Sequence, residues 1–86
     1  MMGREELVIE RETLQARRGQ LEKREAEARA DARVARAYAR VESNPRFIKV
    51  RNADADRYFA RAGGLKEEIR RCDRRLAEIA AEFNGR

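Results

Sequence analysis

Residues 58–83 read YFARAGGLKEEIRRCDRRLAEIAAEF, and the spacing of the small and apolar residues in this stretch decides the fold. These residues recur at alternating steps of 4 and 3, without a slip from one end of the stretch to the other. Such a heptad rhythm is typical of a helix that packs lengthwise against another helix. Its members are Tyr58, Ala62, Leu65, Ile69, Cys72, Leu76, Ile79 and Phe83.

The first half of the chain carries the same period. Every seventh residue is leucine or alanine, in the order Leu7, Leu14, Leu21, Ala28 and Ala35. The positions between them are polar at first, namely Arg11, Arg18 and Glu25, and are then the alanines Ala32 and Ala39. Strong helix formers dominate this half, so we predict one helix over residues 4 to about 42. The two halves together define a packing seam, which consists of Leu7, Leu14, Leu21, Leu65, Ile69, Cys72, Leu76, Ile79 and Phe83.

Helix-breaking residues separate the two halves. Ser43-Asn44-Pro45 interrupts the pattern, because the residue before a proline is pushed away from helical geometry. We predict a turn over 43–52, in which residues 46–50 are either extended or the start of a short helix capped by Asn44. The stronger helix start is Asn52, followed by acidic residues, so the second helix is predicted over about 53–83, with a possible break or kink at Gly63-Gly64.

Folding the chain back on itself gives an all-α, antiparallel, coiled-coil-like helical hairpin as a single domain, residues 1–86. With the turn centred near residue 46, small residues of the first helix face Gly63-Gly64, which suggests that the glycines permit a close approach to the alanines. Two helices bury little, and an apolar turn patch with Val34 and Val41 beside it is left over. We therefore expect two copies to close into a four-helix bundle. The apolar turn patch consists of Tyr38, Phe47, Ile48, Tyr58 and Phe59.

The sequence contains few residues that could act in catalysis. The chain contains no His, and its single cysteine, Cys72, falls on the packing seam, where a free thiol behaves as a small hydrophobe. No hydroxyl or thiol has a candidate base in a recognisable motif, and neither a metal-ligand spacing nor a phosphate-binding loop is present. We expect no enzyme activity, no cofactor and no small-molecule substrate.

The composition also indicates the cellular compartment of the protein and whether it spans a membrane. A single cysteine cannot form an internal disulfide, which favours a reducing cytoplasm. The longest run of large apolar residues is Leu7-Val8-Ile9, so no membrane span is expected.

The polar pattern that stands out is a basic ridge. Arg29, Arg33, Arg36 and Arg40 recur at steps of 4, 3 and 4, one residue after the alanine row, and Arg46, Lys49 and Arg51 follow in the turn. Only Asp31 and Glu42 oppose them, so the net charge of +5 can be assigned to this end. The favoured hypothesis is a non-enzymatic adaptor, inhibitor or regulator that binds an acidic protein surface. The alternative is a nucleic-acid-binding regulator that grips phosphates, and a merely solvated charged face is the third interpretation.

Overall fold

The computed structural model describes residues 3–85, which form two antiparallel helices packed along their lengths. Helix α1 spans Arg4–Val41 and helix α2 spans Pro45–Asn84, in a rod of 63 × 15 × 14 Å. The predicted all-α helical hairpin is confirmed. Residues 1, 2 and 86 of the predicted domain lie outside the described residues.

The turn is shorter than the predicted 43–52, and α2 begins before the predicted residue 53. Residues 42–44 alone separate the helices. The side chain of Asn44 accepts a hydrogen bond from the backbone N–H of Arg46 at 3.0 Å, and Pro45 occupies the first turn. This pair satisfies a free N–H and presets the helical φ, so the Asn44-capped alternative forms and residues 46–50 are helical, not extended.

Helix α2 runs without interruption through Gly63 and Gly64. Both glycines are exposed, and a Cβ atom built on either would meet no heavy atom within 4 Å. The close approach that was predicted to explain the pair is therefore wrong. The glycines lie off the seam, because the residues that flank them, Ala62 and Leu65, are the ones that face α1.

The core is a thin line of small and apolar side chains between the helices. Leu7 and Ile79 are fully enclosed, while Leu14 and Ile69 pack half-buried against the central cluster, and Leu76 and Phe83 are half-buried. Tyr58 lies at the edge of the seam and is 36% exposed, whereas Ala55 is fully buried. The buried residues are Leu7, Leu21, Ala28, Ala32, Ala35, Ala39, Ala55, Ala62, Leu65, Cys72 and Ile79.

The polar positions of the α1 seam are occupied by partnered side chains. Arg18 donates hydrogen bonds to Asp73 across the seam and to Glu22 along its own helix, and the bond to Asp73 raises the pKa of the guanidinium. The guanidinium of Arg11 lies over the ring of Phe83, 5.1 Å from its centroid. Arg11 and Arg18 can occupy a half-buried seam because each guanidinium contacts a carboxylate or an aromatic ring.

An ion pair joins the helices toward the open end of the rod. Arg75 donates to both carboxylate oxygens of Glu10 at 2.7 Å, a bidentate arrangement that is among the stronger charge-assisted contacts. The hydrogen bond from Arg75 lowers the pKa of Glu10. Arg17 and Glu68 form a looser pair at 3.6 Å on the same side of the hairpin.

Candidate functional site

The turn half of the rod has two different flanks, one on each side of the buried seam. Each arginine of the basic ridge follows a buried alanine by one residue, as Arg36 follows Ala35. Val34 and Tyr38 instead precede buried alanines by one residue. One residue is about 100° of helix rotation, so the two sets project to opposite sides of the seam.

We call these sides the arginine flank and the tyrosine flank. The arginine flank consists of Arg29, Arg33, Arg36, Arg40, Lys49, Asp56 and Phe59. The tyrosine flank consists of Asp31, Val34, Tyr38, Val41, Phe47, Val50, Arg51, Asp54 and Tyr58.

Two arginines of the arginine flank are held by neighbours. Arg29 donates to Glu25 one turn earlier. Arg36 reaches across to α2, where it donates to Asp56 at 2.9 Å and to Asn52 at 3.2 Å, and its guanidinium lies 5.9 Å from the centroid of Phe59. These contacts fix the position of Arg36 and use its charge within the hairpin.

The other arginines of this flank face solvent beside an aromatic ring. Arg33, Arg36 and Arg40 line one surface hollow together with Phe59, whose side chain is 44% exposed. Among residues 3–85, the cations of this end that form no ion pair are Arg33, Arg40, Arg46, Lys49, Arg51 and Arg61. The turn end thus offers uncompensated positive charge around a half-exposed phenylalanine.

The start of α2 adds to this positive potential. A helix N-terminus carries the equivalent of about half a positive charge, and acidic residues in the first turn normally offset it. The first turn of α2 has no acidic residue and carries Arg46 instead. Glu42 is the nearby acid, and its carboxylate accepts hydrogen bonds from the backbone N–H groups of Ser43 and Asn44 in the turn.

The tyrosine flank is apolar with charges of both signs. Val34, Ala35, Tyr38 and Tyr58 line a hollow with Asp31, Arg51 and Asp54, and the Arg51 guanidinium lies over the Tyr38 ring. Phe47 and Val50 continue this side of α2, and Val41 continues it on α1, by helical spacing. About half of each of Val34, Tyr38, Phe47 and Val50 is exposed, and Val41 is 81% exposed.

The structure separates residues that the sequence analysis grouped at one end. The apolar turn patch is not one surface: Tyr38, Phe47 and Tyr58 lie on the tyrosine flank, Phe59 lies among the arginines, and Ile48 is half-buried on the line of the seam. Arg51, predicted with the ridge, lies on the opposite side over Tyr38. Sequence reasoning missed Val50, although its position three residues after Phe47 places it on the same face.

Cys72 is 5% exposed, and within residues 3–85 no three His, Cys, Asp or Glu side chains are grouped to hold a metal ion. Over the same residues, neither helix has an apolar stretch long enough to cross a bilayer.

Comparison with known protein families, with characterised proteins and with solved structures finds no match to this chain.

Proposed function

We propose that this chain is a non-enzymatic protein-interaction module, an adaptor, inhibitor or regulator that binds an acidic partner surface through its arginine flank. The observation that carries the proposal is the clustering of basic side chains around one exposed ring, because Arg33, Arg36 and Arg40 line a single hollow with Phe59. Towards the open end, basic side chains such as Arg18 and Arg75 are paired across the helices. At the turn end, Arg33 and Arg40 have no ion-pair partner among residues 3–85 and remain available to carboxylates of another molecule.

The aromatic ring within the arginine flank gives such a surface an anchor. Binding energy at interfaces is concentrated in a few aromatic and arginine side chains surrounded by a polar rim. Phe59 has this placement, because Arg33, Arg36 and Arg40 surround a ring that is 44% exposed. Arginine also pairs with carboxylates in a bidentate geometry that lysine cannot reproduce, which suits a specific acidic partner.

The proposal includes a homodimer and a cytoplasmic location. A two-helix rod has little interior, and pairing with a second copy into a four-helix bundle would cover the apolar side chains left exposed near the turn. A lone, buried Cys72 is suited to a reducing compartment. The absence of His from the sequence supports a role in binding instead of catalysis.

Nucleic-acid binding is the second candidate, and the same flank supports it. Arg33, Arg36 and Arg40 follow one another along a single ridge, and Phe59 beside them presents a ring on which a base can stack. Protein carboxylates and phosphates are both anions, so the shape of the flank does not separate these partners. The dependence of binding on salt does, because phosphate contacts release condensed counterions.

The test compares three forms of the full chain: wild type, Arg33→Glu with Arg40→Glu, and Lys23→Glu with Arg71→Glu. The two variants change the net charge equally, but Lys23 and Arg71 lie away from the turn end and are exposed. In nuclease-treated extract of the source organism, we expect wild type and the Lys23/Arg71 control to retain the same acidic partner. The Arg33/Arg40 variant should lose it. Equal loss in both variants would show that net charge alone is responsible.

The same three proteins test the alternative directly. Binding to duplex DNA and to structured RNA is measured by fluorescence anisotropy across a salt series. A steep loss of affinity with salt, abolished by Arg33→Glu with Arg40→Glu and kept by the control, would favour nucleic acid. No binding even at about 50 mM salt would eliminate the nucleic-acid candidate, because phosphate contacts are strong under such conditions.

A further inference from the structure

The molecule exposes more surface than a compact protein of its size. Its accessible area is 6546 Å² for a 10.0 kDa chain. A compact monomer of this mass exposes about 5,200 Å². The excess is larger than the roughly 800 Å² that each partner buries in a standard specific interface. A rod of this shape therefore has room for one further lengthwise partner.

The apolar part of the exposed surface is concentrated on one side. The tyrosine flank carries most of the large exposed apolar side chains, whereas the arginine flank carries Phe59. Toward the open end, the same side as the tyrosine flank is polar, with Glu10 and Arg75 in their ion pair. The apolar side chains of the tyrosine flank are Val34, Tyr38, Val41, Phe47, Val50 and Tyr58.

Charge distinguishes the flank that can pair with itself from the flank that cannot. Arg33 and Arg40 give the arginine flank unpaired charge of one sign, so two such flanks repel each other. The tyrosine flank has both signs: Asp31 and Asp54 lie next to Arg51 in one hollow, and Arg57, the ion-pair partner of Asp54, lies with Arg61 in the adjoining hollow beside Tyr58. A two-fold interface places the same patch on both sides, so a patch that carries both signs beside apolar residues can be self-complementary.

We propose that the tyrosine flank is the docking surface for a second copy of this chain. This inference rests on the proposed homodimer and assigns its interface. Val34 and Tyr38 of the two copies pack together, Tyr58 and Phe47 close the edges, and the acidic and basic groups of each copy face their opposites. The arginine flanks then lie on the outside of the bundle, where both remain free for the partner of the module.

The test measures the mass of the full chain by analytical ultracentrifugation at tens of micromolar. Wild type is expected at twice the 10.0 kDa chain mass. Val34→Glu with Tyr38→Glu should fall to the monomer mass, a twofold loss, because it places like charges against each other at the interface. The matched control is Ile9→Glu with Ala37→Glu, which adds the same charge at exposed sites outside the flank and should stay dimeric.

Cross-linking keeps the inference testable if the flank variant does not fold. In a Cys72→Ala background, Val34→Cys should be joined between copies by a short bismaleimide cross-linker, and Ala37→Cys, on the outer face of α1, should not. A monomeric wild type would overturn the proposal and assign the flank to a different protein. A dimer retained by the Val34/Tyr38 variant, or equal cross-linking at Ala37, would also overturn it.

The outcome is independent of the partner-binding proposal. Arg33→Glu with Arg40→Glu should leave the dimer mass unchanged whether or not it loses a partner. Loss of partner binding with the dimer intact supports the arginine flank. A monomeric wild type that still binds its acidic partner would refute only the dimer interface.

Discussion

The guanidinium of Arg51 lies over the ring of Tyr38, with its central carbon 5.1 Å from the ring centroid. The contact joins α2 to α1 on the tyrosine flank, close to the turn. Both side chains line the same hollow with Asp31, Val34 and Asp54. Arg51 therefore lies apart from the arginine flank, and its cation–π contact joins the two helices on the tyrosine flank.

A double-mutant cycle on Tyr38 and Arg51 should reveal this contact. Tyr38→Leu keeps apolar bulk and Arg51→Gln keeps a polar side chain without the charge, so the coupling energy reports the cation–π interaction. We expect about 0.5–1 kcal/mol of coupling in urea unfolding at a fixed protein concentration. Tyr38 and Arg40 lie on opposite flanks, and the matched cycle on that pair should be additive within about 0.5 kcal/mol. Equal coupling in both cycles would contradict the assignment.

The seam of both helices was predictable because burial selects residue type at a fixed period. Even the polar positions Arg11 and Arg18 fall where the leucine repeat places them, half-buried against α2. The start of α2 was misplaced because Asn52 and the acids after it imitate a helix start. The continuing steps from Ile48 to Asn52 to Ala55, which are 4 and 3, were the overlooked signal.

The division into two flanks could also be predicted from the sequence, but only once the buried alanines of α1 are known. Arg36 follows Ala35 and Val34 precedes it, which fixes their sides once Ala35 is known to be buried. Which arginines are neutralised could not be predicted in this way. The pairing of Arg36 with Asp56 depends on the register of the two helices, which heptad spacing alone does not fix.

Replacing Gly63 or Gly64 by alanine should stabilise the hairpin. Both glycines are inside α2 with open space where a Cβ would lie. Alanine restricts the unfolded chain without a clash, so each change should raise the free energy of unfolding by about 0.4–1 kcal/mol. Gly85→Ala is the control, because its Cβ would lie 3.2 Å from the carbonyl oxygen of Ala81 and should bring no such gain. Thermal unfolding followed by circular dichroism compares the stability of these variants and of the Gly85→Ala control with that of wild type. Destabilisation by Gly63→Ala would mean that another surface packs there.

The stability contributed by the Glu10–Arg75 pair should depend on pH. Arg75 lowers the pKa of the Glu10 carboxyl below its ordinary value of 4.5, so the unfolded chain binds the proton more tightly. The contribution is therefore present above that ordinary value and is lost as the pH falls through the lower folded-state pKa. We expect Glu10→Gln to be less stable than wild type at neutral pH, with the difference narrowing under acidic conditions.

Glu12→Gln is the control for this pH effect, since Glu12 is exposed and forms no ion pair among residues 3–85. Its melting temperature should follow that of wild type at every pH. A Glu10→Gln deficit that stays constant into the acid range would show that Glu10 stabilises the hairpin without its charge.

Ile79 and Ile9 test how much of the fold depends on the thin seam. Ile79 is fully buried and Ile9 is 64% exposed, so the same chemical change is made in two environments. Ile79→Ala should cost about 2–5 kcal/mol, because it removes apolar contact and leaves a cavity. Ile9→Ala should change stability by no more than about 0.5 kcal/mol. A single small core supplies only about 3–5 kcal/mol, so Ile79→Ala is expected to unfold much of the population. Urea titration at one fixed protein concentration compares the two. If Ile9→Ala were equally damaging, Ile9 would be buried in an assembly, and the contact between copies would lie at the open end of the rod and not on the tyrosine flank.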